Sequence, residues 1–450
     1  MNNMTTNIQR RRFLKYAGAT GAGAALLSQL DALAQLSTSE DYRALVCIFM
    51  FGGNDGNNLL VPYETSDYNR YAGIRSNLAL PRDALQLIAP SNTGGIRYGL
   101  HPAMSGIKQL FDTGKAAVVA NVGPLMVPTS KAQWNARSVP LPDNLFSHSD
   151  QQAQWQASLY QTPRSGWGGR LVERMVDGST LNRGYSVVSV TGNNLWETSD
   201  SVLTPYKVSA SGNFGFDFYD PKGSDPLSAA ITATMSEKHD HLLEQGWLDV
   251  MARSIDVQAI LTDALAGSAL TTTFPDTGLG AQLRMVARLI SARTRLGLKR
   301  QCFFCSIGGF DTHGEDQLQR QNELLGEISA AVSAFQTATT ELSIANNVTL
   351  FTASDFGRTF TSNGQGSDHG WGSHHIIAGG AVQGGKLYGT FPTHQLNGPD
   401  DSGGNGNWIP TTSVETYAAT LAKWFGASDA VLGEVFPRLG YFNADAGFFS

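Results

Sequence analysis

The stretch from Asn347 to Gly380 reads NVTLFTASDFGRTFTSNGQGSDHGWGSHHIIAGG. It opens on an apolar, β-branched run, Val348–Thr352, which predicts a buried strand. Polar residues follow at Ser354, Asp355 and Arg358, then a Gly/Ser-rich loop that carries Asp368, His369, His374 and His375. The chain returns to an apolar run at Ile376-Ile377-Ala378. One strand thus delivers carboxylates and imidazoles into a loop at its carboxyl end, where ligand sites of open α/β sheets form.

Two other stretches repeat the pattern. Ala44–Phe51, ALVCIFMF, is a continuous apolar run, as expected of a strand buried on both faces of a parallel sheet. It ends in GGNDGNNLLVPY, which presents Asp55, although an Asp-Gly turn accounts for that residue equally well. Cys302–Ile307 is a third strand, followed by GGFDTHGED with Asp311 and His313. Helical spacing connects these strands. Met104, Ile107, Leu110 and Phe111 share one face, with Gly114 at the C′ position, and His101 ahead of them reads as a packing residue. Gln282–Leu298 and Asp316–Leu342 are amphipathic, as is the tail around Tyr417, Leu421 and Phe425. Alternating strands and helices predict an α/β fold: a mostly parallel central sheet with helices on both faces.

Three strand ends on one sheet edge then carry Asp55, Asp311 with His313, and Asp355, and the loop adds Asp368 and His369. Acids and imidazoles gathered there would stay unpaired unless cations sat among them. A mixed oxygen and nitrogen set suits Zn²⁺ or Mn²⁺, and the oxygens alone would suit Mg²⁺ or Ca²⁺. In NLFSHSDQQAQWQASLY, Ser147 or Ser149 precedes a helix predicted to start near Asp150. That hydroxyl is either an N-cap or a group poised where the helix dipole favours an anion.

The amino terminus reads QRRRFLK over Gln9–Lys15, then an apolar Gly/Ala-rich run to about Leu30 and a small-x-small site at Ala32-Leu33-Ala34. This resembles a twin-arginine signal peptide spanning residues 1–34, with the mature domain at 35–450. The expected location is therefore periplasmic or secreted, and the Tat translocase is the expected partner during export. The run is too short and Gly-rich to span a bilayer comfortably, and no later stretch is long enough.

Composition agrees. With 41% hydrophobic and 16% charged residues and 49 glycines, the chain suits a loop-rich globular protein rather than a coiled or disordered one. Loss of the signal removes four basic and one acidic residue, moving the net charge from −6 to −9, which gives no support for nucleic-acid binding. Three cysteines, Cys47, Cys302 and Cys305, do not make a disulfide framework and read as buried thiols. Residues 185–275 read as an insertion or cap: Tyr185–Val190 looks like a strand, Asn193–Pro226 has no clear period, and Ser228–Leu265 looks mostly helical, with His239 and His241 on a solvated face.

GGNDGNNLLVPY, SHSDQQAQW, GFDTH, SDFGRT and DHGWGSHHIIAGGAVQGGKLYG together resemble the signature segments of a bacterial Tat-exported family whose domain is formally of unknown function. That family is usually placed in the alkaline phosphatase and sulfatase superfamily. The resemblance implies an alkaline-phosphatase-like fold and a metal-dependent hydrolase acting on a small-molecule or glycan ester of phosphate or a related acid. By that analogy Asp55, Asp311, His313, Asp355, Asp368 and His369 supply metal ligands, with Asp368 also able to assist from behind them. Ser147 is the implied nucleophile, with Arg358 and His374 assisting it. No Cys or Ser has the Pro and Arg spacing that formylglycine sulfatases need. Phe356 also stands where related hydrolases place a His. A non-catalytic periplasmic binding or assembly factor that keeps the fold is the alternative.

Overall fold

A computed structural model describes residues 42–160, 163–175, 184–200, 203, 205–211, 219–220, 224–237, 240–267 and 270–449. The signal segment and His239 lie outside them. Twelve strands are described: β1 (Arg43–Phe51), β2 (Leu60–Pro62), β3 (Gln86–Ile88), β4 (Tyr98–Leu100), β5 (Ala116–Gly123), β6 (Val187–Ser189), β7 (Tyr206–Lys207), β8 (Arg300–Gly308), β9 (Val348–Ser354), β10 (Ser373–Gly379), β11 (Leu387–Tyr388) and β12 (Thr412–Ser413). The helices that matter below are α1 (Thr65–Arg75), α2 (Ser105–Asp112), α3 (His148–Ala157), α4 (Trp167–Met175), α5 (Pro226–Ser236), α6 (Leu242–Leu265), α7 (Gly278–Ser291), α8 (Gln317–Glu341) and α9 (Val414–Phe425).

The main sheet runs β11-β5-β10-β9-β1-β8-β6-β7, with β12 beside β5. β1 pairs in parallel with β8 and β9, β8 with β6, and β6 with β7. Only β10 is antiparallel to its neighbours β9 and β5, so the sheet is mostly parallel as expected. β2, β4 and β3 form a separate antiparallel sheet. Both β6 and β7 fall inside the segment expected as a cap, and they extend the main sheet at one edge.

The continuous apolar run of β1 has a direct cause. Leu45, Cys47 and Phe49 join Trp155, Trp167, Phe351 and Tyr417 in one core cluster, against α3, α4 and α9. Alternate side chains point to the opposite face, and there Val46 and Ile48 are just as buried. α7 packs on β8, and α8 packs on α7 and α2. With both faces covered, no polar position survives within the strand. All three cysteines are free and buried, and burial raises each thiol's pKa further from reactivity.

Register decides what happens at the strand ends. Met50 pairs with both Ile307 and Ser354, so β1, β8 and β9 finish at one level. Gly52 has φ +114, and a Cβ there would meet the backbone N of Asp311 at 2.3 Å, so this position lets the β8 loop close onto β1.

Candidate metal centre

The groups that converge come from two loops and one helix end. Asp311 lies beyond β8, Asp355 caps β9, His369 sits in the β9–β10 loop, and His148 opens α3. One oxygen of each of two carboxylates organises the imidazoles.

Asp355 is fully buried, and its Oδ2 accepts from His148 Nδ1 at 2.6 Å, Gln152 Nε2 at 2.8 Å and the Gly52 N–H at 3.2 Å. His148 and Gln152 are four residues apart on α3, so one helical face grips this carboxylate. Burial raises the Asp355 carboxyl, and the three hydrogen bonds only partly offset it. A carboxylate accepts, so His148 donates through Nδ1 and its Nε2 keeps a lone pair. That Nε2 is buried without a hydrogen-bond partner, 3.5 Å from Asp311 Oδ1.

The other two imidazoles are fixed in the same sense. His369 Nδ1 donates to the Phe146 carbonyl at 2.7 Å, and His313 Nδ1 donates to Asp368 Oδ1 at 3.2 Å. Their Nε2 atoms lie 2.9 Å apart. Asp311 Oδ1 is 3.0 Å from the His313 nitrogen and 3.5 Å from the His369 nitrogen. Three lone pairs and a carboxylate oxygen therefore face one another. The ligand atoms of His148, Asp311 and His369 all lie within 4.8 Å of one another, a group able to hold a metal ion. In metal sites the second ring nitrogen of a ligating His commonly donates to a carboxylate or carbonyl, and that pattern appears three times here.

One cation already touches the cluster. Arg358 is 1% exposed, and its Nη2 reaches Asp311 Oδ1 at 2.6 Å while Nη1 reaches His313 Nε2 at 3.2 Å. Its remaining donors go to the carbonyls of Gly52, Gly53, Phe310 and Ser367. Burial raises the Asp311 carboxyl, but the Arg358 hydrogen bond and charge outweigh it and hold it below its ordinary value. Burial also lowers His369, so its imidazole stays neutral near pH 7.

The expected residues therefore divide. Asp311, His313 and His369 come together, Asp355 orients His148, and Asp368 orients His313. Asp55 is not part of the cluster. It caps the helical turn Gly56–Leu59, accepting from Asn57 N at 3.1 Å, and its other oxygen takes Arg75 and, at 2.7 Å, Gln317. Arg358 lies beneath the cluster with its donors engaged, out of a substrate's reach. His374 is elsewhere, buried on β10, with Nδ1 accepting from the Asn121 N–H at 3.0 Å and its pKa pushed down by burial to about 3. Ser147 is at the N-cap position of α3, but its hydroxyl donates to Asp150 at 2.6 Å instead of capping the helix. Its neighbours on both sides, Phe146 through its carbonyl and His148 through its ring, belong to the site.

His148 and Gln152 were missed by reasoning on strand ends. The available signal was a His at a helix start with Gln four residues on. Phe356, at the position where a ligand was sought, forms an apolar wall, its ring 4.8 Å from that of His148 and 4.4 Å from that of His369.

Among the described residues, no helix is long and apolar enough to cross a membrane. A twin-arginine signal model matches residues 7–26, which makes this an exported protein, periplasmic or secreted, and the Tat translocase its partner in export. Among solved structures, the chain is similar to the PsFucS1 sulfatase from Pseudoalteromonas sp., at 9% identity and TM-score 0.35 over 89% of this chain and 72% of that one. It is also similar to a phosphonate monoester hydrolase from Silicibacter pomeroyi, at 8% identity and TM-score 0.33 over 86% and 74%. No curated protein matches the sequence. The family model described as "Protein of unknown function (DUF1501)" matches residues 42–402, most of the chain, and the protein belongs to that family.

Proposed function

We propose that this exported chain is a metal-dependent hydrolase of phosphate or related esters, working at His148, Asp311 and His369 with His313 beside them. The observation that supports this most is the convergence of three Nε2 lone pairs on Asp311, each imidazole fixed by an acceptor behind it. Three nitrogens and one oxygen suit Zn²⁺ or Mn²⁺ better than Mg²⁺ or Ca²⁺. A divalent ion there would polarise an ester oxygen and favour ionisation of an attacking hydroxyl.

The chain's own groups do the rest. Asp355 and Gln152 hold His148, Asp368 holds His313, and the Phe146 carbonyl holds His369. Arg358 keeps Asp311 ionised, and Phe356 keeps water from the ring faces of His148 and His369. Ser147 is the proposed attacking hydroxyl. Its Oγ forms the new bond to phosphorus as the bond to the ester oxygen breaks, and its proton passes by way of Asp150, which already accepts its hydrogen bond at 2.6 Å, to the departing oxygen, which leaves as the alcohol. Neighbouring hydrogen bonds, led by that from Ser147, hold Asp150 below its ordinary pKa, so it is ionised and orients the hydroxyl, and the drive for the proton to leave would come from a metal lowering the hydroxyl's own pKa. Water then releases the acid from Ser147.

One observation favours a second reading. Arg358 already gives Asp311 a cationic partner, so a binding or assembly factor could keep this architecture without a metal. Elemental analysis of the purified mature chain, with chromogenic phosphate mono- and diesters as substrates, separates the two. Stoichiometric metal with turnover is the expected result. Absence of both would sink the hydrolase. Retention of full activity by Ser147→Ala would leave the metal site standing and remove Ser147 from the mechanism.

A further inference from the structure

The turn ahead of α3 holds an unusual backbone. Asn144 has φ +48 and Phe146 has φ +72. Asparagine visits this left-handed region readily, but a bulky residue there is an outlier that the surrounding structure must enforce. Phe146 is also the residue whose carbonyl accepts from His369 Nδ1 at 2.7 Å. A return to negative φ would swing that carbonyl away from the imidazole.

α3 holds the turn from one side. Gln154 Nε2 donates to the Asp143 carbonyl at 2.7 Å, and Asn144 Nδ2 donates to Asp150 Oδ1 at 3.1 Å. Gln151 grips the outlier itself: its Oε1 accepts from the Phe146 N–H at 2.5 Å. The Gln151 side chain is 0% exposed, and its Nε2 has no hydrogen-bond partner, so its polar contact is made through the oxygen. The Phe146 ring packs against the cluster of Leu125, Trp371 and Ile409. With the ring anchored there and the N–H tied to Gln151, the aim of the Phe146 carbonyl is set.

That aim decides a proton. A neutral imidazole carries one N–H and one lone pair, and the acceptor behind the ring chooses which nitrogen has which. With the Phe146 carbonyl in place, the proton of His369 sits on Nδ1 and the lone pair on Nε2, the nitrogen 3.5 Å from Asp311 Oδ1. Without it, the proton is free to move to Nε2, and the ring then offers no lone pair to the cluster.

We propose that Gln151 is a positioning residue of the metal centre: by holding the Phe146 amide in its left-handed conformation, it fixes the tautomer of His369. The consequence for metal affinity rests on the metal-dependent reading above, whereas the tautomer is a property of the metal-free chain.

Long-range ¹H–¹⁵N NMR on the metal-free mature chain reads which nitrogen of His369 holds the proton, the signals being assigned by their loss in His369→Asn. The parent is expected to show the Nδ1–H form alone. Gln151→Met fills the same space without an acceptor. It should show both tautomers and bind Zn²⁺ about tenfold or more weakly in competition against a chelator. Gln151→Glu replaces only the unpartnered Nε2, and a carboxyl buried there stays protonated with its carbonyl oxygen still able to accept. It should restore the Nδ1–H form and a Zn²⁺ affinity within about twofold of the parent, below the least loss expected for a broken support. Gln154→Met loosens the same turn at Asp143, so it should lower the unfolding temperature without moving the tautomer. If Gln151→Met does not fold, hydrogen exchange at the Phe146 amide of the parent decides: protection like that of the α3 interior supports the proposal, and exchange as fast as an open loop overturns it. An unchanged tautomer in Gln151→Met, a failure of Gln151→Glu to restore it, or equal scrambling by Gln154→Met also overturns it. Loss of the tautomer in Gln151→Met from a parent that binds no metal would support the positioning role and sink the metal reading instead.

Discussion

Asp355→Asn separates the metal centre from the fold that supports it. Three donors converge on Asp355 Oδ2: His148 Nδ1, Gln152 Nε2 and the Gly52 N–H. Only the first passes through an imidazole to the proposed metal. An amide keeps the size and can still accept through one oxygen, but it loses the charge and buries an –NH₂ where Oδ1 already lacks a partner. Weakening the acceptor behind a ligating His typically costs 10- to 100-fold in metal affinity, or about 1.4–2.8 kcal/mol. Exchange of charge-assisted for neutral hydrogen bonds should lower the stability of the metal-free chain by about 1–2 kcal/mol. Competition titration of Zn²⁺ against a chelator measures the first effect, and urea unfolding of the stripped protein measures the second. Gln152→Ala is the control: it removes one support of the same oxygen but leaves the His148 bond, so its affinity loss should be the smaller. An Asp355→Asn affinity within about twofold of the parent would refute the reasoning, because 10-fold is the least this mechanism allows.

Three further outcomes follow from other parts of the structure. His148→Ala should lose stoichiometric Zn²⁺ while Asp55→Asn keeps it, as read by elemental analysis, because Asp55 spends its oxygens on Arg75, Gln317 and Asn57. Arg75→Met should lower unfolding stability by about 3–5 kcal/mol through the buried carboxylate it strands, with part of the loss recovered when Asp55→Asn is added. Burial raises the Glu197 carboxyl to about 8, so the folded chain holds a proton that the unfolded chain releases near its ordinary value of 4.5. Its stabilising share is complete below that ordinary value and is lost as pH rises toward about 8; Glu197→Gln should flatten that part of a urea-midpoint profile taken from pH 5 to 8.

The parts legible in the sequence are those set by local pattern. β1 announced itself as an unbroken apolar run, as a strand covered on both faces does, and β9 as a β-branched run whose threonines, Thr349 and Thr352, are buried with it. The helix around Met104, Ile107, Leu110 and Phe111 did so by its spacing, and its buried face and the left-handed Gly114 match that spacing. Asp311, His313 and His369 could be singled out because parallel strands carry their following loops to one edge.

Direction and partnership were not legible. Asp55 and Asp311 both follow a Gly-Gly pair at a strand end, and only tertiary contacts tell them apart. Arg75, 20 residues away, and Gln317, 262 residues away, draw Asp55 into a buried cap, while Arg358 holds Asp311 toward the imidazoles. Ser147 and His148 are adjacent, and the hydroxyl drew attention because a helix start gives it a local role. The importance of His148 depends on Asp355, 207 residues on, meeting that helix end. The sequence by itself determined the export signal, the sheet and the edge where chemistry would gather, since each follows from residues near one another in the chain. Only the tertiary structure decided which side chains face one another across that edge, because a hydrogen bond between distant residues leaves no periodic trace in the sequence.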